Sequence, residues 1–149
     1  MVYSVATFEA DDARMRHARQ IREDVFCHEQ GVSAEIEWDG QDSACTHFLL
    51  FESENAIATA RVRHYASDAR KIERVAVVRT RRGTGAGLAI MRAILEFLAR
   101  HEDPSTRILL HSQCTVAGFY ERFGFIRQGE AFVEAGIPHV AMILNRPSG

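Results

Sequence analysis

The stretch Ile72-Glu73-Arg74-Val75-Ala76-Val77-Val78-Arg79-Thr80-Arg81-Arg82-Gly83-Thr84-Gly85-Ala86-Gly87-Leu88 decides how this chain is read. Residues 72–78 are rich in β-branched side chains and predict a strand, whose alternation puts Glu73, Val75 and Val77 on one face. Beyond the glycines, Leu88, Met91, Leu95 and Leu98 recur at helical spacing, supported by Ile90, Ile94 and Phe97, and Pro104 marks the far boundary. A strand therefore feeds a glycine-rich turn that opens a helix. Gly83, Gly85 and Gly87 let the backbone turn tightly and present N–H groups unobstructed by Cβ atoms, which makes a nest for anions. The unpaired donors and positive dipole end of the helix point the same way, and Arg81 and Arg82 add mobile charge. A loop of this kind also serves simply as a tight strand-to-helix turn, and spacing alone leaves both readings open.

Outward from this stretch, residues 2–8 predict a short strand. Asp11 and Asp12 offer N-terminal caps to a helix striped by Met15, Ala18, Ile21 and Val25, which ends near residues 26–30 at Gly31. The acidic run of residues 35–42 has no clear period and reads as a loop or short irregular helix. Residues 47–51 and 56–65 predict two antiparallel strands around the turn-prone residues 52–55. Residues 108–110 predict a short buried strand, and residues 116–123 a brief helix stopped by Gly124. Residues 125–134 and 140–144 predict two last strands joined by a turn holding Gly136 and Pro138. This order implies an α/β (α+β) fold: one domain over residues 1–149, with a mixed sheet of about six to seven strands and helices on both faces. Open sheets bind ligands where neighbouring strands diverge at their C-terminal ends, and the glycine turn lies at such an end.

Composition narrows the partners. The chain has 149 residues, a formal net charge of −2 and 46% hydrophobic residues, enough for one sizeable core and not a surface built for nucleic acid. Arg79, Arg81 and Arg82 are a short local run that suits a small phosphate ligand better than a duplex; a solvated surface cluster is the plainer reading. Cys27, Cys45 and Cys114 are odd in number and widely spaced, which fits neither a disulfide framework nor a metal site and points to a reducing cytoplasm. No apolar run approaches the roughly 20 residues of a membrane helix, and the first residues carry no signal-peptide pattern. The expectations are no metal, no nucleic acid and no membrane.

Two nucleotide motifs fail at the glycine turn. A GxGxxG fingerprint counted from Gly83 or Gly85 meets Leu88 or Ile90 at its sixth position, and the GK[ST] of a Walker loop is absent. The pattern that does match is [RQ]xxGx[GA], as Arg82, Gly85 and Gly87. With it the chain resembles the GNAT acetyltransferase superfamily over nearly its whole length. Within that superfamily it looks like the ElaA-like and YjcF-like group. The residues that carry this are Arg22, Val25, Phe26, Glu29, Gln30, Gly31, the Glu37/Asp39/Asp42 loop, His47, Tyr120-Glu121-Arg122-Phe123-Gly124-Phe125 and Gly136-Ile137-Pro138-His139-Val140. One position departs. Members of that group often carry a histidine just after the Gln113 region, where this chain has Cys114-Thr115-Val116, so that histidine's role does not transfer.

The resemblance implies a GNAT-type three-layer fold and acetyl transfer from acetyl-coenzyme A to a primary amine, of a small molecule or less often a protein lysine, by direct attack in a ternary complex. It implies cofactor contacts from Val75, Ala76, Val77, Arg81, Arg82, Gly83, Thr84, Gly85, Ala86, Gly87, Leu88, Phe119 and Tyr120. A backbone N–H near Val77 would meet the thioester oxygen. An alkylamine is mostly protonated at neutral pH, so a base is needed. Glu73 is the first candidate and His111 the second; a carboxylate paired with an arginine and a hydrogen-bonded structural histidine are their plain alternatives. Tyr120 stands where the superfamily places its acid, and core packing beside Phe119 is its alternative. Glu29, Glu35, Glu37, Asp39 and His139 would line the acceptor pocket, unless the acidic loop is merely solvated. Trp38 either stacks on a ligand or covers the core, and Cys114 is read as packing. From another class come a non-catalytic acyl-coenzyme A sensor and a small interaction module; a homodimer through the C-terminal strands is compatible with catalysis.

Overall fold

The computed structural model describes residues 2–146, so Met1 and residues 147–149 of the expected domain lie outside the described residues. Seven strands form one sheet in the order β1-β2-β3-β4-β5-β7-β6. They are β1 (Tyr3–Phe8), β2 (Cys45–Glu52), β3 (Asn55–Ala66), β4 (Ala69–Val77), β5 (Arg107–Gln113), β6 (Phe125–Glu134) and β7 (Ile137–Leu144). All neighbours are antiparallel except β4 and β5, which run parallel. Helix α3 (Ala86–His101) supplies the crossover that this parallel pair requires.

Two cores hold the layers together. On one face, Ile90, Met91, Ile94 and Leu98 of α3 pack on Phe48, Leu50, Val62, Ile72 and Leu110, with Ala117 and Tyr120 of α4 (Ala117–Glu121) completing the layer. On the other face, Met15, Ala18 and Ile21 of α1 (Met15–Arg22) and the adjoining Val25 pack on Phe8, Leu49 and Ala76. These stripes are the 3.6-residue repeats visible in the sequence, and each fully buried aliphatic side chain contributes about 1.5–3 kcal/mol.

The expected elements are present, with four differences. Helix α1 starts at Met15 without a side-chain cap, because the Asp12 carboxylate accepts the Arg14 N–H (2.9 Å) and pairs with its guanidinium (2.8 Å), forming a local turn in place of a cap. After Arg22 the helix continues in wider π turns over Glu23–Glu29 and stops before Gly31, whose φ is +70°. The acidic run folds as a four-residue helix, α2 (Ala34–Glu37), capped by the Ser33 hydroxyl, and a 3-10 turn over Asp42–Ala44. Pro138 lies inside β7 opposite Val133, and the β6–β7 turn is made by Ala135 and Gly136, both at positive φ.

A bulge in β4 shapes everything that follows. Thr59 pairs with Ala76 and Arg61 with Glu73, so Ala60 on β3 faces two residues, Arg74 and Val75, and Arg74 takes φ +56°. The extra residue reverses the alternation. Val75 and Val77 pack with Ile72 on the α3 face, which leaves Glu73 on the α1 face; the shared face expected for Glu73, Val75 and Val77 is therefore corrected.

Candidate active site

Strands β4 and β5 pair only from Ala69–Arg107 to Ile72–Leu110 and then part. The gap becomes a cleft of about 1030 Å³ that runs through the sheet, lined on the α3 face by Val75, Val77, Gly85, Leu88, Phe119 and Tyr120. On the α1 face it is lined by Arg63, Lys71, Glu73, His111, Glu134 and His139.

The glycine turn closes one end. Gly85 precedes α3 with φ +89° and no side-chain cap, so the first amides of the helix stay available. Cβ atoms at Gly83 and Gly85 would meet nothing within 4 Å, whereas one at Gly87 would stand 3.2 Å from the Phe119 ring. The open side of this turn fits a diphosphate, and the Tyr3 hydroxyl holds the loop by donating to Thr84 O at 3.0 Å. Val78 donates its N–H to Ile57 O (2.9 Å), so Val77 turns its own N–H away from β3, towards the gap. Neither expected mobile arginine is free. Arg81 pairs with Glu52 (3.0 Å), and Arg82 grips both oxygens of Glu29 (2.8 and 2.9 Å) while its Nε donates to Val77 O. Arg79, the first of the basic run, is exposed, and its side chain makes no hydrogen bond or ion pair among the described residues.

Tyr120 lines the floor of the cleft. Burial pushes its phenol up to about 12, and its hydroxyl makes no hydrogen bond among the described residues. It thus holds a proton at neutral pH with no acceptor for it among the described residues.

Glu73 is the paired carboxylate of the plain alternative. Its carboxyl touches Lys71 Nζ (3.0 Å), Arg61 Nη2 (3.0 Å) and Arg63 Nη2 (3.6 Å). Burial alone would raise it, but Lys71 and Arg61 outweigh burial and hold it below the usual carboxylate range. Such a group takes up a proton poorly near neutral pH. His111 is placed differently. Its Nδ1 lies 3.1 Å from Glu134 Oε1, and its ring meets Phe132 edge-on at 5.0 Å. Glu134, held below its ordinary value by that same contact, fixes the ring as an orienting carboxylate does. His139 lies 3.7 Å from the other Glu134 oxygen and directs its Nδ1 to Ile137 O (2.7 Å). Sequence reasoning missed Glu134 because only the β6–β7 register, with Phe132 opposite His139, brings it under both histidines.

The expected acidic wall is neutralised from within. Glu29 belongs to Arg82. Glu37 lines the cleft but is 2% exposed and paired with Arg22 (2.7 Å) and Arg74 (3.1 Å). Asp39 and Asp42 both bind the buried Arg61, and Asp42 also binds Arg22. Trp38 stacks within the chain: the Arg22 guanidinium lies 4.8 Å over its ring. His47, stacked on Phe8, donates Nε2–H to Asp42 O. The loop is a clamp that fastens α1 to β3 and β4. Cys114 packs against the α3-side core as expected, and no group of metal-ligating side chains occurs among the described residues.

The chain is similar to known proteins along most of its length. YjcF, described as an uncharacterized N-acetyltransferase of Bacillus subtilis (strain 168), is 29% identical over 139 residues, spanning 93% of this chain and 97% of its own. Protein ElaA of Escherichia coli (strain K12) is 32% identical over 126 residues, spanning 83% and 82%. The crystal structure of E. coli ElaA superposes with a TM-score of 0.86 at 27% identity, covering 95% of this chain and 99% of that one. A GNAT acetyltransferase of Elizabethkingia anophelis, solved with acetyl-CoA bound, shares the fold at a TM-score of 0.70 and 12% identity, over 97% and 98% of the two chains. The family model described as "Acetyltransferase (GNAT) domain" matches residues 9–146, and with it the parted strands, the glycine turn and the whole-chain likeness find one explanation: this chain belongs to the GNAT acetyltransferase family, in its ElaA- and YjcF-like group.

Proposed function

We propose that this chain, working as one domain in the cytoplasm, transfers an acetyl group from acetyl-coenzyme A to a primary amine of a small molecule, both substrates being held together in the cleft. The observation that carries the reading is the parting of β4 from β5 beside a glycine turn whose amides are open, with the unpartnered Tyr120 hydroxyl between them. Acetyl-coenzyme A supplies the activated acyl group. The amides of residues 86–88 and the exposed Arg79 hold its phosphates, and Val77 N–H faces the acyl oxygen. The amine enters from the α1 face. There His111, held by Glu134, takes the proton that the attacking nitrogen must lose. Tyr120 gives its proton to the departing sulfur, so an N–C bond replaces the C–S bond and the products are an N-acetyl amine and a free thiol.

An acyl-coenzyme A sensor would keep the glycine turn, but it needs neither a buried phenol facing the cleft nor an oriented histidine. The deciding experiment combines calorimetric titration of acetyl-coenzyme A with measurement of thiol release against a panel of amines. Heat with release supports transfer, heat without release from any amine supports a sensor, and no heat with any acyl-coenzyme A removes both readings.

A further inference from the structure

At the mouth of the cleft on the α1 face, one arginine has only a long ion pair to a carboxylate that two other cations hold more closely. Arg61, Arg63, Lys71 and Glu73 stand side by side there, Arg61 opposite Glu73 and Arg63 opposite Lys71 in the β3–β4 register. Arg61 is fully engaged by Asp39 (2.7 Å) and Asp42 (2.9 Å) as well as Glu73, and Lys71 takes the remaining Glu73 oxygen at 3.0 Å. Arg63 is left over. Its Nη2 is 3.6 Å from Glu73, beyond hydrogen-bond length, and its guanidinium donates no hydrogen bond among the described residues. The Tyr65 ring, 5.5 Å from the guanidinium carbon, holds the head in place, and the side chain is only 24% exposed. A planar fork of donors, partly stripped of water and fixed at a cleft, matches a carboxylate in two-point geometry. Glu29, Glu37, Asp39 and Asp42 each already hold an arginine.

From this we infer that the acceptor is a zwitterion, an amine that also bears a carboxylate, in the manner of an amino acid. Its carboxylate docks on Arg63 with Lys71 alongside, and its nitrogen is left towards His111. The inference rests on the acetyltransferase reading and names the substrate class of that same cleft. A polyamine offers Arg63 no carboxylate.

The test uses two pairs of acceptors identical except for the carboxylate: leucine with isopentylamine, and phenylalanine with 2-phenylethylamine. Thiol release is compared at equal concentrations of the neutral amine. Amino acids are also titrated calorimetrically into the protein saturated with coenzyme A. In at least one pair the carboxylated member is expected to have the higher kcat/KM, by about tenfold or more. Arg63→Gln is expected to bring that ratio towards one through KM, and Arg63→Lys to restore part of it; a thermal melt of each variant checks folding. The inference is overturned if the plain amines are equal or better, if Arg63→Gln lowers both members of a pair alike, or if no amino acid gives heat or release while acetyl-coenzyme A binds. The last outcome leaves the cofactor reading standing; absence of acetyl-coenzyme A heat removes both.

Discussion

The guanidinium of Arg82 holds the carboxylate of Glu29 through two hydrogen bonds, 2.8 and 2.9 Å long, between the glycine turn and the end of the helix that begins with α1. One residue on, Gln30 accepts from Gln113 at the tip of β5 (2.9 Å). Two consecutive residues thus tie both lips of the cleft. For Arg82 to meet a diphosphate it must leave Glu29, so Glu29→Gln is expected to tighten acetyl-coenzyme A binding by about threefold in calorimetry, the scale of an exposed ion pair. Unchanged or weaker binding would show that Arg82 does not reach the phosphates.

Tyr120→Phe keeps the ring that packs against Phe119 and Phe125 and removes only the hydroxyl. Turnover is expected to fall about 10²- to 10⁴-fold, with little change in acetyl-coenzyme A affinity or melting temperature. In the parent protein, ultraviolet difference titration should find one tyrosine ionising near 12, and that signal should vanish in the variant. Equal turnover in both proteins would remove Tyr120 as the acid.

Arg22 is 1% exposed and holds Glu37, Asp42 and the carbonyl of Glu37. Arg22→Met leaves two carboxylates short of a partner inside the loop clamp. The expected loss is about 3–5 kcal/mol in urea unfolding, with the melting temperature lowered by roughly 10 °C. A loss under 1 kcal/mol would mean that the clamp relaxes around the change.

The same clamp predicts an acid limit to stability. Burial opposes the charge of Asp39, but hydrogen bonds from Arg61 and Gln41 outweigh it and bring the group from 3.8 down to about 2. A carboxyl depressed on folding stabilises the native state above its unfolded value and loses that contribution as pH falls through its folded value. Asp39 is an exposed residue, so solvent screening cuts this to about 1 kcal/mol or less, present above pH 4 and lost between about pH 4 and pH 2. Asp42 and Glu73 shift in the same direction and steepen the slope. Denaturation midpoints measured from pH 6 down to pH 2 should trace this fall, and Asp39→Asn should flatten it.

The layered sheet was legible in the sequence because its signals are local: the α3 stripe, the paired turns, and Gly31 and Gly124, which take the positive φ their places require. The glycine turn was legible for the same reason. Side-chain partnerships across the cleft were not. Nothing within a few residues of Arg82 points to Glu29, 53 positions away, or ties Arg61 to Asp39, 22 positions away. Glu73 was misplaced by the bulge, since simple alternation cannot anticipate an extra residue at Arg74, a non-glycine held at φ +56°. The acidic loop, open to both readings in the sequence, proved to be filled by arginines from α1, β3 and β4.

The parting of β4 and β5 also bears on how such a protein diversifies. Past Ile72 and Leu110 the two strands owe each other no hydrogen bonds, so residues 73–77 and 111–113 can exchange side chains without unzipping that pairing. On the proposed reading, appetite for a new acceptor is easily acquired at this throat, whereas lengthening the shared ladder by a rung or two would seal it and silence the protein without unfolding it.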